Sequence, residues 1–170
     1  LIDGDHLGLV IADVSGKGIP AALFMVIART LIKNRALLGG TPAEILSDVN
    51  AQLREGNDAD YFVTVWFSIH EISTGKGVAC NAGHENPILK RAGGEFEMIR
   101  TRHSLALGIM EGVQFRMVAY QLYPGDRLFV YTDGIPESMN AGEELFGKDR
   151  MMRALNMRKD LSSREMMHGL

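Results

Sequence analysis

Apolar residues crowd positions 7–12 and stop at a carboxylate, Asp13. Leu7, Leu9, Val10, Ile11 and Ala12 are too continuously apolar for a half-wetted strand, so the pattern predicts a buried one. Ser15-Gly16-Lys17-Gly18 is turn chemistry, with glycines free to take positive φ and to bring the backbone close to a ligand. Pro20 suits the first turn of a helix, where no intrahelical N–H is needed. Ala21, Ala22, Met25, Val26, Ala28, Leu31 and Ile32 then make an apolar set broad enough for a largely buried helix, ended by Gly39-Gly40. Thr41-Pro42-Ala43-Glu44 is a capping box that opens a second helix with Ile45, Leu46, Val49 and Leu53 on one stripe, closed at Gly56-Asn57.

The period then changes. Tyr61 to Ile69 is rich in aromatic and β-branched residues and reads as a strand. A turn over 73–77 leads to a strand over Val78 to Ala82. A second turn, Gly83 to Pro87, leads to a short strand at Ile88-Leu89-Lys90. Gly93-Gly94 then turns the chain into Phe96 to Ile99, which completes an antiparallel meander. Leu105 to Ile109 is apolar and irregular, and Gln114 to Leu122 alternates as a strand does. After Pro124-Gly125-Asp126 the stretch Arg127 to Gly134 repeats the opening plan, an apolar strand that ends in Asp133. A short helix is expected over Pro136 to Met139 and another over Lys148 to Asn156. Ser162-Ser163-Arg164-Glu165 is a second capping box. Met151, Met152, Met157, Met166 and Met167 suit adaptable packing of these terminal helices. Asp3-Gly4-Asp5 is a hairpin signal, which leads us to expect a partner strand before it.

Composition narrows the functional classes. The 170 residues, 46% apolar and 23% charged, suit one domain with a sizeable core. A net charge of −3 argues against a general nucleic-acid binder. The single cysteine, Cys80, excludes an intrachain disulfide and a cysteine-based zinc site. No apolar run reaches the roughly 20 residues of a membrane span, and no signal peptide is read at the start.

The chemical signal is a pair of strands that each deliver an aspartate at the C-terminal end. Carboxylate and carbonyl oxygens suit hard cations such as magnesium or manganese. Side by side, two such aspartates would repel one another unless a cation lay between them. The alternative, left open by local pattern, is that each caps the turn or helix that follows. Other motifs fail on spacing. A P-loop would need Gly where Ile11 stands and Ser or Thr where Gly18 stands. An aspartyl-phosphate phosphatase would need Asp where Tyr131 stands. His6 and His103 read as solvated loop residues and His70 as a strand end, and no G-x-S-x-G elbow occurs.

D-V-S-G-K-G-I-P-A-A-L-F-M at 13–25, N-A-G-H-E-N-P at 81–87 and G-D-R-L-F-V-Y-T-D-G-I-P-E-S at 125–138, followed by L-F-G at 145–147, together resemble the SpoIIE/RsbU-type branch of the metal-dependent Ser/Thr protein phosphatases, the PPM or type 2C superfamily. The resemblance implies an α+β fold: an α-β-β-α sandwich of two mostly antiparallel sheets flanked by helices. It also implies a centre of two Mn2+ or Mg2+ ions. By motif position Asp13 would bridge both metals, Val14 would ligate through its carbonyl, and Asp133 would ligate the second metal. Ser15 to Gly18 would line the metal site by backbone approach, with Ser15, Gly16 and Lys17 as the substrate-side candidates; Lys17 would offer charge to a phosphate or stand as a solvated turn lysine. Asn81 and His84 would reach the rim or stabilise their own turn.

The expected activity is hydrolysis of phosphoserine or phosphothreonine by metal-activated water, with no protein nucleophile. The substrate implied is a phosphorylated anti-sigma-factor antagonist of STAS fold or a similar phosphoprotein. The resemblance further implies a cytoplasmic setting, or the cytoplasmic face of an anchored parent. An attached sensor or receiver domain would regulate the site through the two helices over 20–55, and the family often forms homodimers. Residues 1–170 then form a single phosphatase domain lacking its first and last strands. Those strands carry an acidic G-G-D-x-x-D element and an acidic pair in the family, so about half of the acidic site is expected within this chain. The rival readings are a catalytically inactive PPM-fold interaction module and a magnesium-dependent nucleotide-binding enzyme.

Overall fold

The structure, a computed structural model, describes residues 1–168. Its elements run β1 (His6–Val14), α1 (Ile19–Leu37), α2 (Pro42–Arg54), β2 (Val63–Glu71), β3 (Lys76–Ala82), β4 (Ile88–Lys90), β5 (Phe96–Met98), β6 (Met117–Gln121), β7 (Arg127–Phe129), α3 (Gly147–Met157) and α4 (Ser163–His168). They separate into two compact units. The first comprises Leu1–His84 and Thr101–Leu122. The second comprises Glu85–Arg100 and the residues from Tyr123 onward.

The first unit is a four-stranded antiparallel sheet, ordered β1-β2-β3-β6, with α1 and α2 on one face. Val63, Val65 and Phe67 alternate along β2 and so point to one side, where they meet Ile32, Ile45, Leu46, Val49 and Leu53 from the helices. The box at Thr41 forms as expected. The Glu44 N–H donates to Thr41 Oγ1, and the Thr41 N–H donates to the Glu44 carboxylate at 2.8 Å. The Asp3 turn is also present, with the Ile2 N–H on the His6 carbonyl and Asp3 Oδ1 accepting the amides of Asp5 and His6. His6 is therefore no loose loop residue; it begins β1, and its Nδ1 lies 2.8 Å from the Asp3 carboxylate.

Three expectations change here. β1 is half-buried rather than buried, with Val10 50% exposed; among the described residues it pairs with β2 on one side. α1 buries a narrow line of Ala21, Ala28, Ile32 and Ala36, while Leu23, Val26 and Ile27 face solvent. Its apolar residues run right round the helix, but the helix packs along one side only. The meander also breaks after β3, whose second neighbour is β6 and not β4.

The second unit holds the three-stranded antiparallel sheet β5-β4-β7. Ile88, Phe96, Phe129 and Tyr131 pack with Met151, Leu155 and Met166 of α3 and α4. Asp126 organises its turn: the carboxylate accepts the amides of Ala92 at 2.9 Å and Tyr123 at 3.0 Å and pairs with Arg91 at 2.6 Å. Ser162 and Glu165 exchange capping bonds at the start of α4. Met151 and Met166 are buried and Met152 half-buried, as packing residues should be, whereas Met157 and Met167 are exposed.

Two more expectations fail in this unit. The strand at 127 stops at Phe129, because its partner β4 offers only the three positions Ile88, Leu89 and Lys90. Asp133 therefore lies in a turn beyond the strand. Pro136–139 is not a helix; the Glu137 amide bonds to the Asp133 carbonyl and the Ser138 amide to the Ile135 carbonyl, which leaves linked turns.

Among the described residues no helix is long and apolar enough to cross a membrane.

Candidate functional site

Asp13 is the last residue but one of β1 and stands opposite Thr64 of β2. Its neighbours Ala12 and Val14 pack against the helix-covered core, so the Asp13 side chain projects from the other face of the sheet. The Val14 side chain is therefore committed to the core, and only its backbone carbonyl could serve a ligand. Ser15 continues the strand pair by other means. Its N–H donates to the Phe62 carbonyl, and its hydroxyl accepts the Phe62 N–H, both at 2.9 Å.

The turn then needs glycine. Gly16 has φ +85°, and a Cβ there would lie 3.1 Å from the ring of Tyr61. Gly18, with φ 84° and ψ −167°, is the N-cap of α1. No side chain caps α1 and no acidic residue stands in its first turn, in contrast to α2. The partial positive charge of that helix end therefore has neither a capping side chain nor a first-turn acid of its own, and it lies just beyond Asp13. Lys17 is exposed in the same turn.

Asn81 and His84 are tied to this corner from β3 and the turn after it. His84 Nδ1 lies 2.9 Å from Thr64 Oγ1, and Thr64 Oγ1 donates to the Asp13 carbonyl at 3.3 Å. The His84 N–H donates to Asn81 Oδ1 at 2.8 Å, and the Asn81 carbonyl accepts the Ser104 N–H at 2.8 Å. Both side chains are buried, His84 to 3% exposure and Asn81 to 6%.

The first unit therefore gathers Asp13, Val14, Ser15, Gly16, Lys17, Asn81 and His84. Asp133 belongs to the second unit, where it is exposed and its carbonyl receives the Glu137 amide. Thr64, Phe62 and Tyr61 escape a reading of the sequence. Their roles come from the cross-strand register, and only the alignment of Asp13 with Thr64 would have revealed them.

Asp13 and the neighbouring main-chain carbonyls are hard oxygen donors of the kind that magnesium and manganese take. The kind of donor fits, but the number falls short. Among the described residues no group of three or more His, Cys, Asp or Glu is placed to hold a metal ion.

A family model described as Stage II sporulation protein E (SpoIIE) matches residues 3–170. The chain belongs to the SpoIIE family. The chain is 29% identical over 184 residues to protein IcfG of Synechocystis sp. and 27% identical over 136 residues to the phosphoserine phosphatase RsbU of Bacillus subtilis. These alignments cover 91% and 79% of the chain but only 28% and 40% of the relatives, so the chain spans well under half of either.

A crystal structure of the RsbU and RsbW domains of a Mycobacterium tuberculosis protein superposes with a TM-score of 0.81 at 26% identity, covering 99% of this chain and 46% of that one. The PP2C phosphatase domain of SpoIIE from Bacillus subtilis gives a TM-score of 0.78 at 19% identity, with 99% and 48% covered, which shows the shared fold. The SpoIIE family chain thus has the α+β fold of two antiparallel sheets and helices expected of the PPM serine phosphatases.

Proposed function

We propose that this chain is the single phosphatase domain of a metal-dependent protein serine/threonine phosphatase. The observation that carries the reading is the corner at Asp13, where a carboxylate at a strand end meets a glycine turn and an uncapped helix N-terminus. It lies in a chain matched along residues 3–170 by the SpoIIE model. Carboxylate oxygens suit a cation, and main-chain N–H groups at an open helix end suit a phosphoryl group.

Asp13 would hold the cations, Val14 would add its carbonyl and Asp133 would add a second carboxylate. When bound, two Mn2+ or Mg2+ ions supply an activated water and offset charge on the phosphoryl oxygens. The residues of this chain do the rest. Ser15 anchors the turn to Phe62 through two hydrogen bonds. Gly16 and Gly18 let the backbone come close to the phosphate, and Lys17 offers it a positive charge. Asn81 and His84 brace the corner from the neighbouring strand.

The relative named as the phosphoserine phosphatase RsbU supports a phosphoserine substrate. The family resemblance extends the proposal to phosphothreonine, to a regulatory protein such as an anti-sigma-factor antagonist and to the cytoplasm. The rival reading is an inactive interaction module of the same fold. The two separate on one assay with the intact protein, hydrolysis of an aryl phosphate and of a phosphoseryl protein with manganese or with chelator. Manganese-dependent phosphate release supports the phosphatase. None from folded, metal-saturated protein overturns it in favour of the module.

A further inference from the structure

We propose that Thr64 is a positioning residue for Asp13, through a relay in which the Thr64 hydroxyl joins the His84 imidazole to the Asp13 carbonyl. The proposal rests on the phosphatase reading for its consequence, though not for its geometry. In the relay as proposed, the single hydrogen of Thr64 Oγ1 goes to the Asp13 carbonyl, at 3.3 Å, because a carbonyl oxygen can only accept. The 2.9 Å contact then runs from His84 Nδ1–H to a Thr64 lone pair. The opposite arrangement, with the hydroxyl donating to an unprotonated Nδ1, breaks the relay, and a wild-type histidine signal showing Nδ1 unprotonated overturns the proposal.

The His84 end of the relay is itself anchored. The buried ring belongs to a residue whose N–H is held by Asn81 Oδ1 at 2.8 Å, and the Asn81 carbonyl holds the Ser104 amide at 2.8 Å. The Asp13 end acts on a rigid body. The Asp13 carbonyl belongs to the planar peptide that joins Asp13 to Val14, so fixing that oxygen fixes the orientation of both residues flanking it. Those are the two residues of this corner assigned to the metals, one through its carboxylate and one through its own carbonyl. Ser15 ties down the following peptide from Phe62, and the register pairs the Thr64 N–H with the Asp13 carbonyl in the β1–β2 ladder, so the hydroxyl adds a side-chain donor to an oxygen that the main chain already holds.

The rival view is that Thr64 is there only as a β-branched strand residue. Thr64→Val keeps shape and strand preference and removes the hydroxyl, whereas Thr64→Ser keeps the hydroxyl. The test uses the intact protein with three readouts: nitrogen NMR of selectively labelled histidine, amide exchange of the 13–15 segment by mass spectrometry, and manganese affinity by calorimetry.

Wild type should show His84 protonated at Nδ1. Thr64→Val should lose that signature, speed exchange at 13–15 by about fivefold to tenfold, and weaken manganese by about 10-fold to 100-fold, as loss of an outer-shell partner does. Thr64→Ser should stay within about twofold of wild type on the two quantitative readouts. The proposal is overturned if Thr64→Val leaves the histidine signal and the exchange unchanged, or if Thr64→Ser is as impaired as Thr64→Val. If wild type binds no manganese, the metal reading falls, and the histidine signal and the exchange still decide for or against the relay.

Discussion

Replacing Asn50 with alanine should loosen the loop that runs along the inner end of the sheet. Asn50 projects from α2 and is 2% exposed. Its Oδ1 accepts the Gly108 N–H at 2.9 Å, and its Nδ2 donates to the Met110 carbonyl at 2.8 Å. The same loop is held by Arg54 Nη1 on the Gly108 carbonyl at 3.1 Å, and Leu107 exchanges two 2.9 Å bonds with Val63 beside the Asp13 corner. Asn50→Ala deletes two hydrogen bonds of about 1 kcal/mol each and strands the buried Gly108 N–H, which adds about 1–2 kcal/mol. The total is about 3–4 kcal/mol. With a urea slope of about 2 kcal/mol/M, the midpoint should fall by about 1.5–2 M with the slope unchanged. The single tryptophan, Trp66, is buried in β2 and reports unfolding by fluorescence. Ser47→Ala, on an exposed position of the same helix, should stay within about 0.5 kcal/mol of wild type. An Asn50→Ala midpoint indistinguishable from the Ser47→Ala control would refute the view that this side chain carries the loop.

Three further outcomes are expected. Thr41→Ala removes the hydroxyl that accepts the Glu44 amide and should cost about 1 kcal/mol in urea unfolding. Gly16→Ala puts a Cβ against the Tyr61 ring at φ +85° and should destabilise by about 1–2 kcal/mol, read in the same way. Burial pushes the Asp126 carboxyl up, but the amides of Tyr123 and Ala92 and the Arg91 guanidinium outweigh it and hold the group below the usual carboxylate value. A depressed carboxyl stabilises the fold above its unfolded pKa, and that contribution is lost as pH falls through the folded value. Asp126→Asn should therefore flatten the decline of unfolding free energy below about pH 4.

Local chemistry was legible where the chain carries its own answer. The Thr41 and Ser162 boxes, the Gly93-Gly94 hairpin and the glycine turn at 15–18 depend on residues within a few positions of one another, and all form. What failed depends on partners distant in sequence. β1 reads as buried because its residues are apolar, yet its burial depends on which elements stand beside it, and among the described residues its strand neighbour is β2. The strand at 127 reads through to Asp133, but its length is set by β4, which is three residues long. Asp13 was visible as a strand-end carboxylate, whereas Thr64 was one strand residue among nine until the register placed it opposite.

The decisive measurement is manganese-dependent hydrolysis of an aryl phosphate by the intact protein, by Asp13→Asn and by Asp133→Asn. Wild type should show metal-dependent turnover, and each variant should fall by at least about 100-fold, which corresponds to about 2.7 kcal/mol of lost transition-state stabilisation. Turnover in folded Asp13→Asn equal to wild type would contradict the proposed site, because the corner at the end of β1 would then not be where the phosphoryl group is hydrolysed.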